Sequence, residues 1–391
     1  MTRPEVIVDF DLSESHLALQ QRVRAFARRE VAPHAAEWDA TGTFPSDVVR
    51  KIGKLGLFGL PFSSKHGGQG ADFLSVALAV EELARADVSV AVTTAVAIAL
   101  AGTPIDLFGT EEQKERWLAP LARGECVGAF GLTEPEAGSD AANCSTAARL
   151  DADSWVIDGQ KIFTSSAGND LSAFVVLTAT TGVRPDGRKE ISNFIVPKGT
   201  PGYTFSEPFR KVGWRASDTR LLTFQDCRIP ANHLLGERGA GFRQFMATLD
   251  NGRITVAAIS VGVAQAALDL SVAHAKKRAT FGRPIAEHQA IQFKIADMAT
   301  EVELARLMTY KAAVLRDQGR PFAHVASMAK LFASETAVRA ADAGLQIHGG
   351  YGYLDDYPIS RVFRDARVLT IAEGTSEIQR GIIARRVLAE G

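Results

Sequence analysis

The sequence predicts a mainly α-helical protein with a central β domain, and two observations support this order. Apolar residues recur at helical spacing up to Gly124 and again from Gly239, whereas short β-rich runs separated by proline and glycine fill the stretch between them. We therefore expect three domains. They are a helical domain over 1–125, an antiparallel β domain (a barrel or sandwich) over 126–236, and a bundle of four long helices over 237–391.

The composition of the chain is that of a globular protein with a large core. Its 391 residues are 46% hydrophobic and 23% charged, and the formal net charge is −1. A nearly neutral chain favours neither nucleic acid nor an anionic membrane as its partner. Cys126, Cys144 and Cys227 are far apart, so we expect no disulfide framework, no metal site and a reducing, cytoplasmic location. Met1–Asp11 lacks the apolar run of a signal peptide.

The first domain shows helical spacing in two places. The apolar residues are Leu19, Val23 and Phe26 in one helix and Val48, Ile52 and Leu55 in another, which Gly56 is expected to end. Thr110 and Gln113 form a T-x-x-Q capping box, which predicts a helix start. Val88–Ala101 is too short to span a bilayer and contains hydroxyl residues, so we expect a buried helix and no membrane insertion.

The second and third domains are predicted from runs that differ in residue composition and in the spacing of their apolar residues. The predicted strands are Val127–Thr133, Ser154–Ile157, Lys161–Ser165, Ala173–Ala179, Ile191–Val196 and Leu221–Phe224. Asp158-Gly159 separates two of these runs and predicts a hairpin turn. The predicted long helices of the third domain are 240–277, 285–318, 322–346 and 374–389.

One glutamate near the C-terminal end follows an apolar run, in Val368-Leu-Thr-Ile-Ala-Glu373-Gly-Thr-Ser-Glu377. Removing a carboxylate from water raises its pKa, as a general base working near neutral pH requires. The segment behind Glu373 can begin a helix, and a helix N-terminus can receive an anionic or polar group of a cofactor. An acid satisfied by the backbone N–H groups of a helix start is the structural alternative.

Two glycine-rich segments could lie against a ligand. Phe130-Gly-Leu-Thr-Glu-Pro-Glu-Ala-Gly-Ser-Asp140 ends a predicted strand and offers backbone and hydroxyl groups to a phosphate or a ring carbonyl, although a polar turn would have the same composition. Gln346-Ile-His-Gly-Gly-Tyr-Gly-Tyr353 breaks a long helix, and a plain helix C-cap is its structural alternative. Neither is a P-loop or a Rossmann fingerprint. We expect His348 to be a hydrogen-bonded structural residue.

A basic cluster ends the first long helix of the third domain. It reads Lys276-Lys-Arg-Ala-Thr-Phe-Gly-Arg-Pro284 and is followed by His288 and Gln289. The cluster could meet a pyrophosphate, with Phe281 packing on a ring. A solvated helix end also explains the charge.

Together, the four segments on a helix–β–helix layout resemble the acyl-CoA dehydrogenase family. The likeness covers about Leu12 to Leu388 and rests on F-x-L-T-E-P-x-A-G-S-D, R-x-x-F-G-x-P-I, Q-I-H-G-G-x-G-Y and E-G-T-S-E-I-Q-R. It implies an N-terminal helical domain, a middle antiparallel β-barrel and a C-terminal four-helix bundle. It also implies FAD as the cofactor and a homotetramer built as a dimer of dimers.

The resemblance assigns individual residues to FAD. The flavin and its pyrophosphate would be held by Phe130, Leu132, Thr133, Gly138 and Ser139, and the edge of the isoalloxazine would be covered by Phe163, Thr164 and Ser165. The FAD of a neighbouring subunit would be met by Arg278, Phe281, His288, Gln289, Gln346, Ile347, Gly349 and Gly350. Thr375 and Glu377 would face the cofactor at the helix start.

The catalytic and substrate residues follow from the same likeness. Glu373 falls where the short- and medium-chain members carry their catalytic glutamate. Relatives such as isovaleryl-CoA dehydrogenases carry it one residue before the arginine of a D-x-x-R segment, where this chain has Gly252, which cannot act as a base. The residues expected to contact the acyl-CoA are Ser139, Asp250, Arg253 and Gly374.

The implied reaction is α,β-dehydrogenation of a short straight or branched acyl-CoA to the trans-2-enoyl-CoA. Glu373 removes the α-proton, while its own backbone N–H and a flavin ribityl hydroxyl stabilise the enolate as an oxyanion hole does. The β-hydrogen leaves as hydride to the flavin, and the electrons then pass to an electron-transferring flavoprotein. Such chemistry serves fatty acid β-oxidation or branched-chain amino acid degradation.

The sequence departs from the commonest family pattern at four positions, of which Ala372 and Glu136 bear on the choice of substrate. Phe163 stands in place of a tryptophan, Ser165 of a threonine, Ala372 of a tyrosine and Glu136 of a glycine. By analogy of position, the far end of the acyl pocket would be lined by Thr93, Thr94, Val96 and Ala97. These are small residues, so the identity of the acyl group stays open.

Three alternatives compete with this interpretation. An acyl-CoA oxidase would return electrons to oxygen, but such chains usually continue well beyond this length. A non-catalytic DNA-binding flavoprotein of the same family would need an additional basic C-terminal domain. A purely structural helical protein would have no reason to carry all four of these segments, and it would purify colourless.

Overall fold

The computed structural model describes residues 11–390, and its buried side chains form two hydrophobic cores. The larger core is shared by the N-terminal and C-terminal helices, and the smaller one fills the β domain. The predicted order of helices, strands and helices is confirmed. The first ten residues and Gly391, which the predicted domains include, lie outside the described residues.

The N-terminal region is helical, and several of its predicted details are confirmed. Its helices are α1 (Glu14–Phe26), α2 (Ala35–Thr41), α3 (Ser46–Lys54), α4 (Phe73–Ala86), α5 (Val88–Ala95), α6 (Thr103–Phe108), α7 (Glu111–Gln113) and α8 (Ala119–Ala122). Gly56 has a φ of 76° just beyond α3. The capping box of Thr110 and Gln113 is present at the start of α7.

The apolar stretch after Asp87 is a core helix, as predicted. A π-helical segment, Val96–Gly102, joins α5 to α6, so the helix runs unbroken over Val88–Phe108. This helix and Gly241–Lys277 are long and apolar enough to cross a membrane, but 100% and 67% of their most apolar windows are buried inside the fold. Their apolar character is therefore what the shared helical core requires.

The β domain contains a sheet of eight strands that is mixed, not wholly antiparallel as predicted. The strands are β1 (Val127–Gly131), β2 (Ala147–Asp151), β3 (Ser154–Ser165), β4 (Ser172–Val183), β5 (Lys189–Pro197), β6 (Tyr203–Phe205), β7 (Thr219–Pro230) and β8 (Leu234–Leu235). They are ordered β6-β7-β3-β2-β4-β5-β8, and β1 pairs with β4 in parallel. The hairpin of β2 and β3 lies between β1 and β4 in the chain, so β4 returns in the direction of β1.

The predicted hairpin at Asp158-Gly159 is wrong, because β3 continues through both residues. The register against β7 shifts between Ile157 and Gly159, where Gly159 has a φ of 143°. A Cβ on Gly159 would lie 2.6 Å from the Cα of Thr146, so the glycine permits a bulge and a close approach. The chain reverses earlier, between β2 and β3.

The C-terminal region contains the four predicted long helices and two features that were not predicted. The helices are α9 (Gly241–Lys277), α10 (Gln289–Asp317), α11 (Ala323–His348), α12 (Pro358–Ala366) and α13 (Ser376–Glu390), with a hairpin of β9 (Ala279–Thr280) and β10 (Arg283–Pro284) after α9. The short α12 and the hairpin were not predicted. α10 begins later than residue 285 because Ile285–Glu287 forms a separate 3₁₀ turn.

Candidate active site

Glu373 lies in the turn between a 3₁₀ segment, Arg367–Thr370, and the start of α13. It is a non-glycine residue with a φ of 52°, and Gly374 after it has a φ of 94°. Left-handed backbone costs a non-glycine residue about 1 kcal/mol or more, so the surrounding structure must hold this turn. Its carboxylate oxygen Oε2 is buried without a hydrogen-bond partner.

The carboxylate of Glu373 fills a gap beside α9 that exists because residue 252 is glycine. A Cβ on Gly252 would lie 1.9 Å from Oε2 of Glu373 and 3.0 Å from Cδ2 of Leu100. The two positions at which members of the family carry the base, as the resemblance implies, therefore adjoin one another here. Of these two positions, only position 373 carries a side chain that can accept a proton.

The environment of Glu373 suits a general base. Burial raises the pKa of Glu373 to about 7, and the positive charges of Lys330 and Arg253 oppose that rise. An acid that served only to cap a helix would have its oxygens bound by backbone N–H groups, whereas Oε2 has no partner. The structure thus favours the functional interpretation of Glu373 over its structural alternative.

Asp250 and Arg253, the predicted substrate residues of α9, pair with each other one turn apart. Arg253 is almost fully buried, and its Nε lacks a hydrogen-bond partner. The charge of Arg253 also acts on Glu373. α9 therefore brings a guanidinium with an unused donor to the same place as the Gly252 gap.

The loop after β1 is fixed to β3 through its backbone. The carbonyl of Thr133 accepts a hydrogen bond from the N–H of Ile162 at 2.8 Å, and the carbonyl of Leu132 accepts one from Nζ of Lys161 at 3.1 Å. Lys161 is fully buried and pairs with Glu134 at 2.6 Å. With the loop held in this way, Gly138 and Ser139 at its tip are exposed, and nothing lies within 4 Å of the site of a Cβ on Gly138.

The end of β3 presents a surface that fits a flat ring with polar edges. Phe163 is 66% exposed and has a φ of 58°, at a register shift between Lys161 and Thr164. The Thr164 hydroxyl is buried without a partner, and the Ser165 hydroxyl lies 3.3 Å from that of Thr219. An exposed aromatic ring beside an unused hydroxyl is consistent with the predicted isoalloxazine site.

A second group of predicted residues gathers at the end of α9. The guanidinium of Arg278 lies 5.6 Å from the ring of Tyr351, which joins the basic cluster to the Gln346–Tyr353 segment. Phe281 on the β9–β10 hairpin is 96% exposed, and its ring meets that of His288 edge-on. Within residues 11–389, no hydrogen bond, ion pair or ring contact joins this group to Glu373. It would therefore serve a different subsite.

Most of the remaining predicted cofactor residues lie at helix ends. Gln289 begins α10, and Gln346 and Ile347 lie in the last turn of α11 before Gly349 and Gly350, where a Cβ would meet open space. The Thr375 hydroxyl accepts a hydrogen bond from the N–H of Ile378 and so caps α13, whose first turn carries the exposed Glu377. Phe130 is half-buried in β1.

His348 has the structural role that was predicted for it. Its Nδ1 lies 2.7 Å from the carbonyl oxygen of Gly344, and its ring stacks on that of His274 at 4.2 Å. Burial lowers the pKa of both rings. The two histidines thus pack the end of α11 against α9.

The predicted lining of the acyl pocket is buried in the helix after Asp87. The Thr93 and Thr94 hydroxyls donate to the carbonyls of Ser89 and Val90, so their polar groups are satisfied within the helix. Leu100, further along, approaches the Gly252 gap and was not predicted. It lay within the buried helix that the sequence identified, but nothing in the pattern marked it from its apolar neighbours.

Two further residues of the site were not predicted. Nζ of Lys330, on α11, donates to the Gly374 carbonyl at 2.7 Å, and Nε2 of Gln379, on α13, donates to the Glu373 carbonyl at 3.1 Å. A lysine inside an alanine-rich apolar helix is the one sequence signal that could have identified Lys330. The glutamine carried no comparable signal.

Comparisons with known proteins agree with this architecture over nearly the whole chain. Family models for the N-terminal, middle and C-terminal domains of acyl-CoA dehydrogenase match residues 13–125, 129–227 and 239–388. The chain is 50% identical to "Probable acyl-CoA dehydrogenase YngJ" of Bacillus subtilis (strain 168), over 97% of this chain and 100% of that protein. It is 46% identical to the short-chain specific acyl-CoA dehydrogenase, mitochondrial, of Bos taurus, over 97% and 91%.

Two solved structures share the fold at a TM-score of 0.94 each. One is butyryl-CoA dehydrogenase from Megasphaera elsdenii, 41% identical over 97% of this chain and 100% of that one. The other is described as the electron transferring flavoprotein of Acidaminococcus fermentans, 42% identical over the same shares. With three domain matches and relatives well above 30% identity, the chain belongs to the acyl-CoA dehydrogenase family.

Proposed function

We propose that this acyl-CoA dehydrogenase uses FAD to convert a short straight or branched acyl-CoA to the trans-2-enoyl-CoA, with Glu373 as the base. The observation that carries the proposal is the buried, unpartnered carboxylate of Glu373, whose pKa burial raises to about 7. Near neutral pH this group can accept a proton in its ionised form and hold it in its neutral form, so it suits removal of a weakly acidic α-proton.

The chain supplies the groups that such a proton transfer needs. The Gly252 gap lets the carboxylate lie against α9, and Lys330 and Arg253 favour its ionised form. By analogy with the family, the Glu373 backbone N–H would donate to the thioester carbonyl as negative charge develops there.

The residues of the β domain fit FAD, which when bound supplies the acceptor for the β-hydrogen. The exposed ring of Phe163 and the unused hydroxyl of Thr164 would meet the isoalloxazine, while Gly138 and Ser139 leave space for the pyrophosphate. The isolated group around Arg278 and Phe281 would meet the adenosine end of the FAD of a neighbouring subunit. That arrangement requires at least a second subunit, which the homotetramer implied by the resemblance would provide.

The acyl length and the electron acceptor are proposed from the relatives. The short-chain specific name of the bovine protein and the butyryl-CoA dehydrogenase of Megasphaera elsdenii support a short acyl group. The Acidaminococcus fermentans structure supports an electron-transferring flavoprotein as the partner. A cytoplasmic location and a role in fatty acid or branched-chain amino acid breakdown stay predictions.

An anaerobic titration with a panel of straight and branched acyl-CoAs, followed by flavin absorbance, tests the proposal. We expect a short acyl-CoA to bleach the flavin, and peroxide production in air to be slow, as distinguishes a dehydrogenase from an oxidase. Glu373→Gln should keep FAD and bind the same acyl-CoA, but it should lose bleaching by at least about a thousandfold, because the base is gone. Near-normal bleaching in that variant would remove Glu373 from its assigned role.

A further inference from the structure

The turn that carries Glu373 is held by two buried side chains from different helices. Nζ of Lys330 donates to the Gly374 carbonyl at 2.7 Å. Nε2 of Gln379 donates to the carbonyls of Glu373 and Gly374 at 3.1 and 3.2 Å. Both side chains belong to residues without solvent exposure, so these bonds form away from competing water.

The two donors act on backbone that does not hold itself in place. Glu373 and Gly374 have φ values of 52° and 94°, so two consecutive residues are left-handed. A Cβ at position 374 would lie 2.6 Å from Nε2 of Gln379, so the hydrogen bonds that Gln379 donates to this turn also require glycine there. Without the donors, the strained turn would relax and redirect the carboxylate away from the Gly252 gap.

Lys330 does not bond to the carboxylate that it lies near. Its ammonium donates to a carbonyl, and among the described residues no ion pair within 4.0 Å joins it to Glu373. Oε2 thus stays free to accept a proton while it still feels the charge of the lysine. A direct ion pair would occupy the oxygen and weaken it as a base.

We propose that Lys330 and Gln379 are positioning residues of this dehydrogenase, which together hold the left-handed turn that aims Glu373 at the reacting carbon. The proposal rests on the proposed function of Glu373. Gln379 contributes hydrogen bonds alone, whereas Lys330 contributes a hydrogen bond and a positive charge. Substituting each residue in turn therefore distinguishes the effect of the turn's geometry from the effect of the positive charge.

The charges around Glu373 define the sign of the expected pH effect. Lys330 on α11 and Arg253 on α9 lower the pKa of Glu373 against the larger opposing effect of burial. Arg253 is already paired with Asp250, and Glu335 and Glu377 act on Lys330 in turn. Loss of Lys330 should raise the pKa of Glu373, so the acid limb of the rate profile should move to higher pH.

The test compares Lys330→Met, Gln379→Met and Lys330→Arg as FAD-bound enzymes. The rate of flavin bleaching by the acyl-CoA that reduces the wild type is measured against pH, and the protonated carboxyl band of Glu373 is titrated by infrared difference spectroscopy against Glu373→Gln. We expect both methionine variants to bleach at least about tenfold more slowly. Only Lys330→Met should shift the limb and the carboxyl titration to higher pH, and Lys330→Arg should restore both.

The outcomes separate this proposal from the proposed function. If no acyl-CoA bleaches the wild type, the proposed function is wrong, while the infrared titration still measures the effect of Lys330 on the pKa of Glu373. Wild-type rates in both methionine variants, or an unmoved carboxyl titration in Lys330→Met, would overturn the positioning role. If Lys330→Met does not fold, the rate in Gln379→Met decides the geometric part, and the carboxyl titration in the neutral but polar Lys330→Gln decides the charge, since it should still lie at higher pH than in the wild type.

Discussion

At the scale of single residues, an absent side chain matters as much as the carboxylate beside it. Gly252 leaves room for Oε2 of Glu373, which lies 1.9 Å from the place that a Cβ would take. Alanine is the better helix former by about 1 kcal/mol, so helix propensity does not account for glycine here. The glycine instead permits the carboxylate to lie against α9.

Gly252→Ala is therefore expected to displace the base without unfolding the protein. The added methyl group would push Glu373 out of its gap, and a shift of this size at a reacting group lowers the rate of flavin bleaching by about a hundredfold. Stopped-flow bleaching with a short acyl-CoA measures the loss, while FAD content and the melting temperature report the fold. A variant that bleaches at the wild-type rate would show that the carboxylate has another position in which it reacts.

The chemistry of single residues could be predicted where the sequence itself carries the signal. Glu373 was singled out because an isolated acid follows an apolar run and precedes a glycine, and its catalytic role was assigned from the resemblance to the acyl-CoA dehydrogenase family. Lys330 and Gln379 were not, because their partners are backbone carbonyls, which no residue pattern displays. The buried pair of Lys161 and Glu134 was missed for a related reason, since it depends on the loop folding back onto β3.

At the scale of elements, one glycine led to a wrong prediction of a turn, and another occupies a helix position where alanine would fit. Asp158-Gly159 has the composition of a hairpin turn, but the same glycine serves a bulge within β3, and local sequence does not distinguish the two. Gly381, in α13, has no such task, because a Cβ there would meet nothing within 4 Å. The length and texture of the four long helices, in contrast, were predicted closely.

Gly381→Ala is expected to stabilise the protein by up to about 1 kcal/mol, since alanine loses less backbone freedom in a helix. Urea unfolding followed by circular dichroism measures the change. The rate of flavin bleaching should not change, so the variant is also a matched glycine-to-alanine control for position 252. A clear loss of stability would mean that a partner subunit occupies the open space beside α13.

At the scale of the whole molecule, the three predicted domains meet at a buried pair of carboxylates. Asp365 on α12 accepts a hydrogen bond from the backbone N–H of Trp214, in the β domain, at 2.6 Å. Asp87 caps α5 in the N-terminal region. Burial raises the pKa of Asp365 to about 7 and that of Asp87 to about 6. The charge of Asp87 adds to the rise at Asp365, and the charge of Asp39 adds to the rise at both acids.

This junction makes an expected contribution to the pH dependence of stability. The folded-state pKa of Asp365 exceeds its unfolded value, so the folded protein binds more protons between about pH 4 and pH 7, and stability falls as the pH rises through that window. Asp365→Asn keeps an oxygen for Trp214 and removes the ionisation. Its gain in stability over the wild type should be larger at pH 8 than at pH 5 by about 2 to 3 kcal/mol, because the wild type loses stability between these two pH values.

Urea unfolding at both pH values checks this expectation, with Asp356→Asn in the exposed loop before α12 as the control for the substitution itself. An equal gain at pH 5 and pH 8 would mean that the charge of Asp365 is not its source. The domain order could be predicted from texture alone. The junction could not, since it joins residues from three regions of the chain that no local pattern relates.

Helix α9 is long enough to connect the Gly252 gap to the hairpin that follows Arg278. Its 37 residues extend about 55 Å, with the Gly252 gap in its first half and the Arg278 hairpin directly beyond its last residue. In the proposed tetramer, this one helix would thus adjoin the base of its own subunit and lead directly to the residues that meet the cofactor of the next. Dissociation of the subunits is then expected to release flavin from every site at once, so that the assembly, and not the single chain, is the smallest unit able to turn over.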